Sequence, residues 1–297
     1  MSRILSMPVA AALLLGACSG GSDQEQPQDR PFPSTATSGA PGPSGGDRSS
    51  LSGRIAFDNF EDVWTINADG TDLTRLTHSP APEFDPSWSP DGTQIAFRSE
   101  RSGEPEIWVM NADGTGQRRL AAGLSPAWSP DGSLIAFAGR AGVSLIRPDG
   151  TGLRGLPHAE GGEYPSWSPD GSRIAFNSNL TGDHVMYIVQ ADGSKVMDLS
   201  RAGEGWQVDW SPDGRSILFT SHRDYPDNYT DVYVMRPDGS AVRRLTHNRG
   251  YTPAWSPDGD NIVFSAPGLF ITDPDGGEVR ALHTPGVGET SLPDWTD

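Results

Sequence analysis

From residue 51 onward the chain is a succession of short apolar runs, each closed by a turn signal, with no helical spacing of apolar positions. One three-residue run recurs as Ile55-Ala56-Phe57, Ile95-Ala96-Phe97, Ile135-Ala136-Phe137, Ile174-Ala175-Phe176, Ile217-Leu218-Phe219 and Ile262-Val263-Phe264. All but the first follow a Trp-Ser-Pro-Asp-Gly segment, which begins at Trp88, Trp128, Trp167, Trp210 and Trp255. A degenerate sixth copy, Pro293-Asp294-Trp295-Thr296-Asp297, stands at the C-terminus. A second Asp-Gly turn at Asp69, Asp113, Asp149, Asp192, Asp238 and Asp275 separates runs such as Val63-Trp64-Thr65-Ile66 from segments such as Arg75-Leu76-Thr77.

The period of about 40 residues, with four short strands in each unit, is the signature of radial repetition. Asp bonds to local backbone and Gly accepts positive φ, so both Asp-Gly turns reverse the chain between neighbouring antiparallel strands. The pattern predicts an all-β, six-bladed β-propeller of four-stranded antiparallel blades over 51–297. The first Ile-Ala-Phe run has no Trp strand before it, and the last Trp strand has no run after it. Ring closure follows: Leu292–Thr296 is expected to supply the innermost strand of the first blade, whose other strands lie within 53–77.

The Pro-x-Trp-Ser-Pro-Asp-Gly, Ile-Ala-Phe and Arg-Leu-Thr segments resemble those of the TolB-like family of six-bladed, WD40-like propellers over residues 53–297. The shared residues are packing and turn residues, so they speak for the fold. The resemblance implies a cell-envelope protein with partners such as peptidoglycan-associated lipoproteins. That family's partner site comes with an N-terminal α/β domain, where this chain has a tether. Some related propellers precede a serine hydrolase domain, which is not expected here.

Composition alters the picture at the N-terminus. Thirty-six glycines and 26 prolines suit a strand-and-turn domain, but residues 18–50 are nearly all Ser, Gly, Pro, Gln and Asp, with Phe32 the only aromatic. Such a stretch buries too little apolar surface to fold and reads as a flexible tether, with a reach on the order of 30 Å. Residues 1–17 carry one early charge, Arg3, and an apolar stretch too short to span a bilayer, which reads as an export signal. Leu15-Gly16-Ala17-Cys18 resembles a bacterial lipobox, which implies acylation of Cys18, the chain's single cysteine. The expected location is extracytoplasmic, periplasmic or at the cell surface, with membrane attachment only through the lipid anchor.

The formal net charge is -17, and residues 1–50 hold only seven of the charged side chains, so the repeat itself is strongly acidic. Nucleic acid is therefore not an expected partner. The expected partner is an envelope protein or an extracytoplasmic ligand, held by a monomeric propeller.

The face bearing the Pro-Asp-Gly and Asp-Gly turns is monotonous in sequence, so recognition is expected on the opposite face, where connections vary. There the Ser221–Asp231 loop offers His222, Asp224, Tyr225 and Tyr229, and the connections between units offer Asp85, Tyr164, Trp206, Gln207, Asp209 and Tyr251 at the channel mouth. Trp206 lies outside the repeated Trp position, which marks it for a binding surface. His78, His158 and His247 occupy equivalent repeat positions and are weak candidates for a divalent metal. Their position falls on the outermost strand, far from the axis. The Pro-Asp-Gly aspartates are read as turn-formers and not as calcium ligands, because the rest of a calcium loop is missing.

No catalytic residues are assigned. Gly42-Pro43-Ser44-Gly45-Gly46 matches a nucleophile elbow in letters alone, without the strand and helix that would frame it. The reading is a protein- or ligand-binding and scaffolding module without a cofactor. The competing reading is a metal-assisted glycan lyase or hydrolase using the propeller channel.

Overall fold

The computed structural model describes residues 51–180, 184–224, 229–247 and 249–297. The expectations for residues 1–17, for the tether 18–50, for Cys18 and for Tyr225 lie outside the described residues.

Among the described residues there are six four-stranded antiparallel sheets. The innermost strand of the second blade is Glu83–Trp88, and the third to sixth blades begin with Leu124–Trp128, Gly162–Trp167, Trp206–Trp210 and Tyr251–Trp255. The first blade takes its innermost strand from the C-terminus. Ser291–Thr296 pairs with Arg54–Asp58 in a register that sets Trp295 opposite Ile55. Each innermost strand packs beside the next around the ring, which shields its inner edge.

Burial on both faces explains the continuous Ile-Ala-Phe runs. The second strand of every blade is buried on both faces, and its phenylalanine (Phe57, Phe97, Phe137, Phe176, Phe219 or Phe264) is at most 1% exposed. The apolar core is six clusters, each drawn from two neighbouring blades. Within them each repeated tryptophan packs on the blade before it, as Trp88 does with Ala56, Val63 and Leu76. Burial of each large side chain contributes about 1.5–3 kcal/mol, and because clusters straddle blades this energy holds blade to blade. Arg54 and Arg173 extend the same contacts by lying over Trp88 and Trp210, at 5.1 and 4.7 Å from the ring centres.

The Trp-Ser-Pro-Asp-Gly turns are self-contained. In the second blade Ser89 Oγ donates to Asp91 Oδ1 at 2.6 Å, the Thr93 N–H donates to the same oxygen at 3.1 Å, and the Gln94 N–H donates to Ser89 Oγ at 2.9 Å. Gly92 sits at φ +66, where a side chain would be strained. These donors hold the aspartates in their charged form. The carboxyls of Asp91, Asp131 and Asp213 lie below the usual range, and that of Asp170 falls to about 2, the Ser168 hydroxyl being the largest cause.

Candidate functional site

The residue three places before each repeated tryptophan adopts the left-handed conformation: Asp85 (φ 54), Ser125 (φ 50), Tyr164 (φ 49), Gln207 (φ 55), Thr252 (φ 48) and Leu292 (φ 45). Each lies at a shift in the pairing between the first and second strands, that is, at a bulge. Proline follows in every blade but the fifth, where Val208 stands; it removes an N–H and bars the preceding residue from the right-handed helical region. Such backbone costs on the order of 1–3 kcal/mol per residue and persists only where neighbours hold it.

Here the preceding blade does the holding. The Asp85 N–H donates to Asp58 Oδ2 at 3.2 Å, the Ser125 N–H to Asp85 Oδ2 at 3.0 Å and the Gln207 N–H to Asn177 Oδ1 at 3.3 Å. The Thr252 N–H donates to Thr220 Oγ1 at 3.1 Å, and the Leu292 N–H to Thr252 Oγ1 at 3.2 Å.

Two residues further on, Ser87, Ala127, Ser166, Asp209, Ala254 and Asp294 form a second ring. It also ties blade to blade: the Trp88 N–H donates to Asp294 Oδ2 at 2.6 Å, the Trp255 N–H to Asp209 Oδ2 at 2.9 Å and the Trp210 N–H to Ser166 Oγ at 3.2 Å. Ser166 Oγ in turn donates to Asp209 Oδ1 at 3.1 Å.

The two rings line a channel of about 280 Å³ that reaches Pro90 and Pro130 in the turns. Its carboxyls Asp85, Asp209 and Asp294, and Asp58 behind Asp85, are held toward their neutral form. Burial pushes Asp209 up to about 7, with Asp294 adding repulsion, and pushes Asp294 up to about 6. Asp58 is raised well above the carboxylate range by burial and then by Asp85; Asp85 is raised by burial, with the Arg98 guanidinium opposing. Burial also raises the Tyr164 phenol, whose side chain is hydrogen-bonded to Gln207.

Asp85, Tyr164, Gln207 and Asp209 are thus brought together, as the sequence suggests, but in the channel wall and not in the connections at its mouth. The bulge is the reason, because it turns these positions inward. The channel also reaches the turn-bearing face, which the sequence marks as featureless.

At the other end of the fifth blade's inner strand, Trp206 lies between His184 and His222, with ring centres 5.5 and 5.4 Å away. His222 Nε2 is 3.3 Å from Glu204 Oε2, and Glu163, raised by burial, faces His184. Trp206 and His222 therefore share one cluster. The remaining predicted residues are dispersed: Asp224 accepts the Tyr233 hydroxyl at 2.8 Å, Tyr229 lies 3.6 Å beneath the Arg249 guanidinium, and the half-buried Tyr251 donates to the Thr290 carbonyl at 3.5 Å. Burial pushes the Tyr251 phenol up to about 12.

His78, His158 and His247 are all exposed at outermost strands of different blades, and among the described residues no three His, Cys, Asp or Glu side chains stand close enough to hold a metal ion. Sequence reasoning passed over Asp58, Asp294, Ser166 and His184. Asp294 carries a usable signal: aligning the repeats on tryptophan exposes the two carboxylates in a column of otherwise small residues.

Comparison with known proteins comes to the same architecture. The family described as TolB beta propeller domain matches residues 35–207 and 124–282. Among curated proteins, a Protein TolB homolog of Chlorobium luteolum is 38% identical over 53 residues, 18% of this chain and 12% of that protein. The Tol-Pal system protein TolB of Albidiferax ferrireducens is 34% identical over 82 residues, 26% of this chain and 19% of that protein. The matched segments thus span less than a fifth of these relatives. The crystal structure of TolB from Acinetobacter baumannii aligns with a TM-score of 0.73 and 21% identity, over 83% of this chain and 67% of that one. A putative TolB from Agrobacterium tumefaciens gives 0.65 and 23%, over 81% and 91%. A nidogen/laminin complex gives 0.67 at 11% identity, so this likeness is one of fold alone.

Proposed function

The chain belongs to the TolB beta propeller domain family, and from that premise we propose that it is an extracytoplasmic binding module, holding an envelope protein at the mouth of its channel. The observation that carries this reading is Trp206. Its indole stands outside the inter-blade register that buries Trp210 and lies between two imidazoles at the end of the inner strand. An aromatic of this kind, with polar groups Glu163, Glu204 and Gln207 around it, has the composition of a recognition hot spot.

The reading extends to the anchor. Cys18 is the acylated residue, and residues 18–50 tether the propeller to the membrane. Two of the relatives named above are a TolB homolog and a Tol-Pal system TolB, which supports a partner in the envelope.

A photo-crosslinking amino acid in place of Trp206, introduced into the full chain in its native host, tests the reading. The expected result is one adduct to an envelope protein that also co-purifies with the wild type and is lost with Trp206→Ala. Unchanged co-purification by the Trp206→Ala chain would overturn it. In the same cells Cys18→Ser is expected to release the protein from the membrane fraction.

A further inference from the structure

Beyond that reading, one junction on the turn-bearing face lacks a contact that three others make and carries a groove instead. In three blades the residue that opens the outermost strand is an arginine whose guanidinium clamps the next blade's turn. Arg118 donates to the Pro148 carbonyl, Arg154 to the Ala191 carbonyl at 3.4 Å, and Arg243 to the Pro274 and Asp275 carbonyls at 2.8 and 2.9 Å. The strand registers set Met197 at the same place in the fourth blade, opposite Ile188 as Arg118 is opposite Val109 and Arg243 is opposite Val234.

Without a clamp, the junction with the fifth blade holds a groove of about 490 Å³. It is lined by Arg173, Arg215, Arg236, Met197, Pro237 and Asp238. Val196 and Met197 are 41% and 37% exposed beside it. Three guanidiniums and one carboxylate line the groove itself, with Asp213 behind Arg215 and Asp170 near Arg173, on a chain whose net charge is -17.

These guanidiniums are not committed to strong ion pairs. Arg215 is 86% exposed and its carboxylate neighbour Asp213 is 3.9 Å away, a contact worth little in water. Arg173 rests on the Trp210 ring, which positions it without neutralising it.

We propose that this groove is a binding site for a phosphomonoester. A phosphate dianion presents three terminal oxygens, which suits three planar donor forks better than a single carboxylate does. Met197 and Pro237 form an apolar wall that seats the organic part of the ester, so an ester is preferred over inorganic phosphate.

Calorimetric titration of the full-length protein at low ionic strength, with phenyl phosphate and with inorganic phosphate, tests this. Saturable binding with one site is expected, tighter for phenyl phosphate, and weakened about tenfold or more in R215Q/R236Q. Both arginines are on the surface, and an unchanged thermal transition confirms that the variant folds.

Met197→Arg supplies the discriminating arm. It adds a positive charge, but by the geometry of Arg118, Arg154 and Arg243 its guanidinium would occupy the groove on the Pro237 carbonyl. Weaker binding is expected. Tighter binding by M197R would reduce the effect to a diffuse field and overturn the site, as would equal affinity in R215Q/R236Q or no saturable binding by the wild type. Flotation with phosphatidylcholine vesicles, with and without phosphatidic acid, separates the sources. Retention that needs phosphatidic acid and is lost in R215Q/R236Q assigns the site to a lipid headgroup, and groove-dependent binding of the free ester alone assigns it to a soluble one.

Discussion

The backbone N–H of Trp88 donates to Oδ2 of Asp294 at 2.6 Å, joining residues that stand 206 apart in the chain. Asp294 belongs to the C-terminal strand that completes the first blade, and Trp88 to the blade beside it. The contact therefore ties the last strand of the chain into the ring twice, once through its sheet partner Arg54–Asp58 and once through its neighbour. Asp294→Ala leaves the Trp88 N–H without that acceptor, which costs about 1–3 kcal/mol. For a domain of this size a loss of 2 kcal/mol lowers Tm by about 4–8 °C. Asp294→Asn keeps an acceptor oxygen, and less than half of that shift is expected by differential scanning calorimetry.

Asp294 and Asp209 also set a pH dependence. Burial raises their carboxyls to about 6 and about 7, above the unfolded value near 4. The folded state therefore holds more protons, and the stability they confer is fully present below about pH 4 and lost as the pH rises through 6 and 7. The turn aspartates act in the opposite sense. Asp170, at about 2, stabilises the fold above pH 4 and loses that contribution only as the pH falls toward 2. The two windows do not overlap. Between pH 5 and 8 the Tm of the wild type is expected to fall relative to that of D209N/D294N, and a constant difference between them would contradict the assignment.

The architecture was legible in the sequence because the residues that build it repeat. Trp88 and its counterparts, Phe97 and its counterparts, and the Asp-Gly turns keep one spacing, and each does in every blade what it does in the others. The channel was not legible, because its left-handed positions are filled by Asp85, Ser125, Tyr164, Gln207, Thr252 and Leu292, which share a backbone conformation and no chemistry. The inward turn is set by the bulge and by bonds from the preceding blade, and neither is written in the residue itself. The imidazoles show the converse, a placement that the repeat does disclose. His78, His158 and His247 are equivalent by repeat, but a propeller carries equivalent outer positions apart, while only inner ones converge.

The Arg-Leu-Thr segments show a dependence that the sequence contains without announcing. In the fifth blade the Arg244 guanidinium is 2.6 Å from Asp231, which is fully buried, and Thr246 Oγ1 donates to Asp231 at 2.7 Å while accepting the Val232 N–H at 3.0 Å. Asp62, Arg75 and Thr77 repeat the arrangement in the first blade, with the pair at 2.6 Å. Where Gly142 or Gly268 stands before the third strand's first apolar residue, the outer strand carries no Arg-Leu-Thr. Removing one partner strands a buried charge, so Arg244→Met is expected to cost about 3–5 kcal/mol. Asp231→Leu/Arg244→Met removes both charges and is expected to recover more than half of that, as read by urea denaturation.

Trp206 and Trp210 stand on the same short strand and have opposite roles. Trp210 is 5% exposed, packed in the cluster between the fourth and fifth blades and covered by Arg173. Trp210→Ala removes a large buried side chain and is expected to cost about 3–5 kcal/mol. Trp206 belongs to none of the six apolar clusters, and its ring contacts are the imidazoles of His184 and His222. Aromatic pairs of that kind are worth about 0.5–1.5 kcal/mol each beyond area burial, and both here are half-exposed. Trp206→Ala is expected to shift the denaturation midpoint by less than half as much as Trp210→Ala, with an unchanged m-value. The binding readout should reverse the order. A Trp206→Ala chain that folds normally yet loses its envelope adduct would place that side chain in recognition, and a loss of stability matching that of Trp210→Ala would return it to packing.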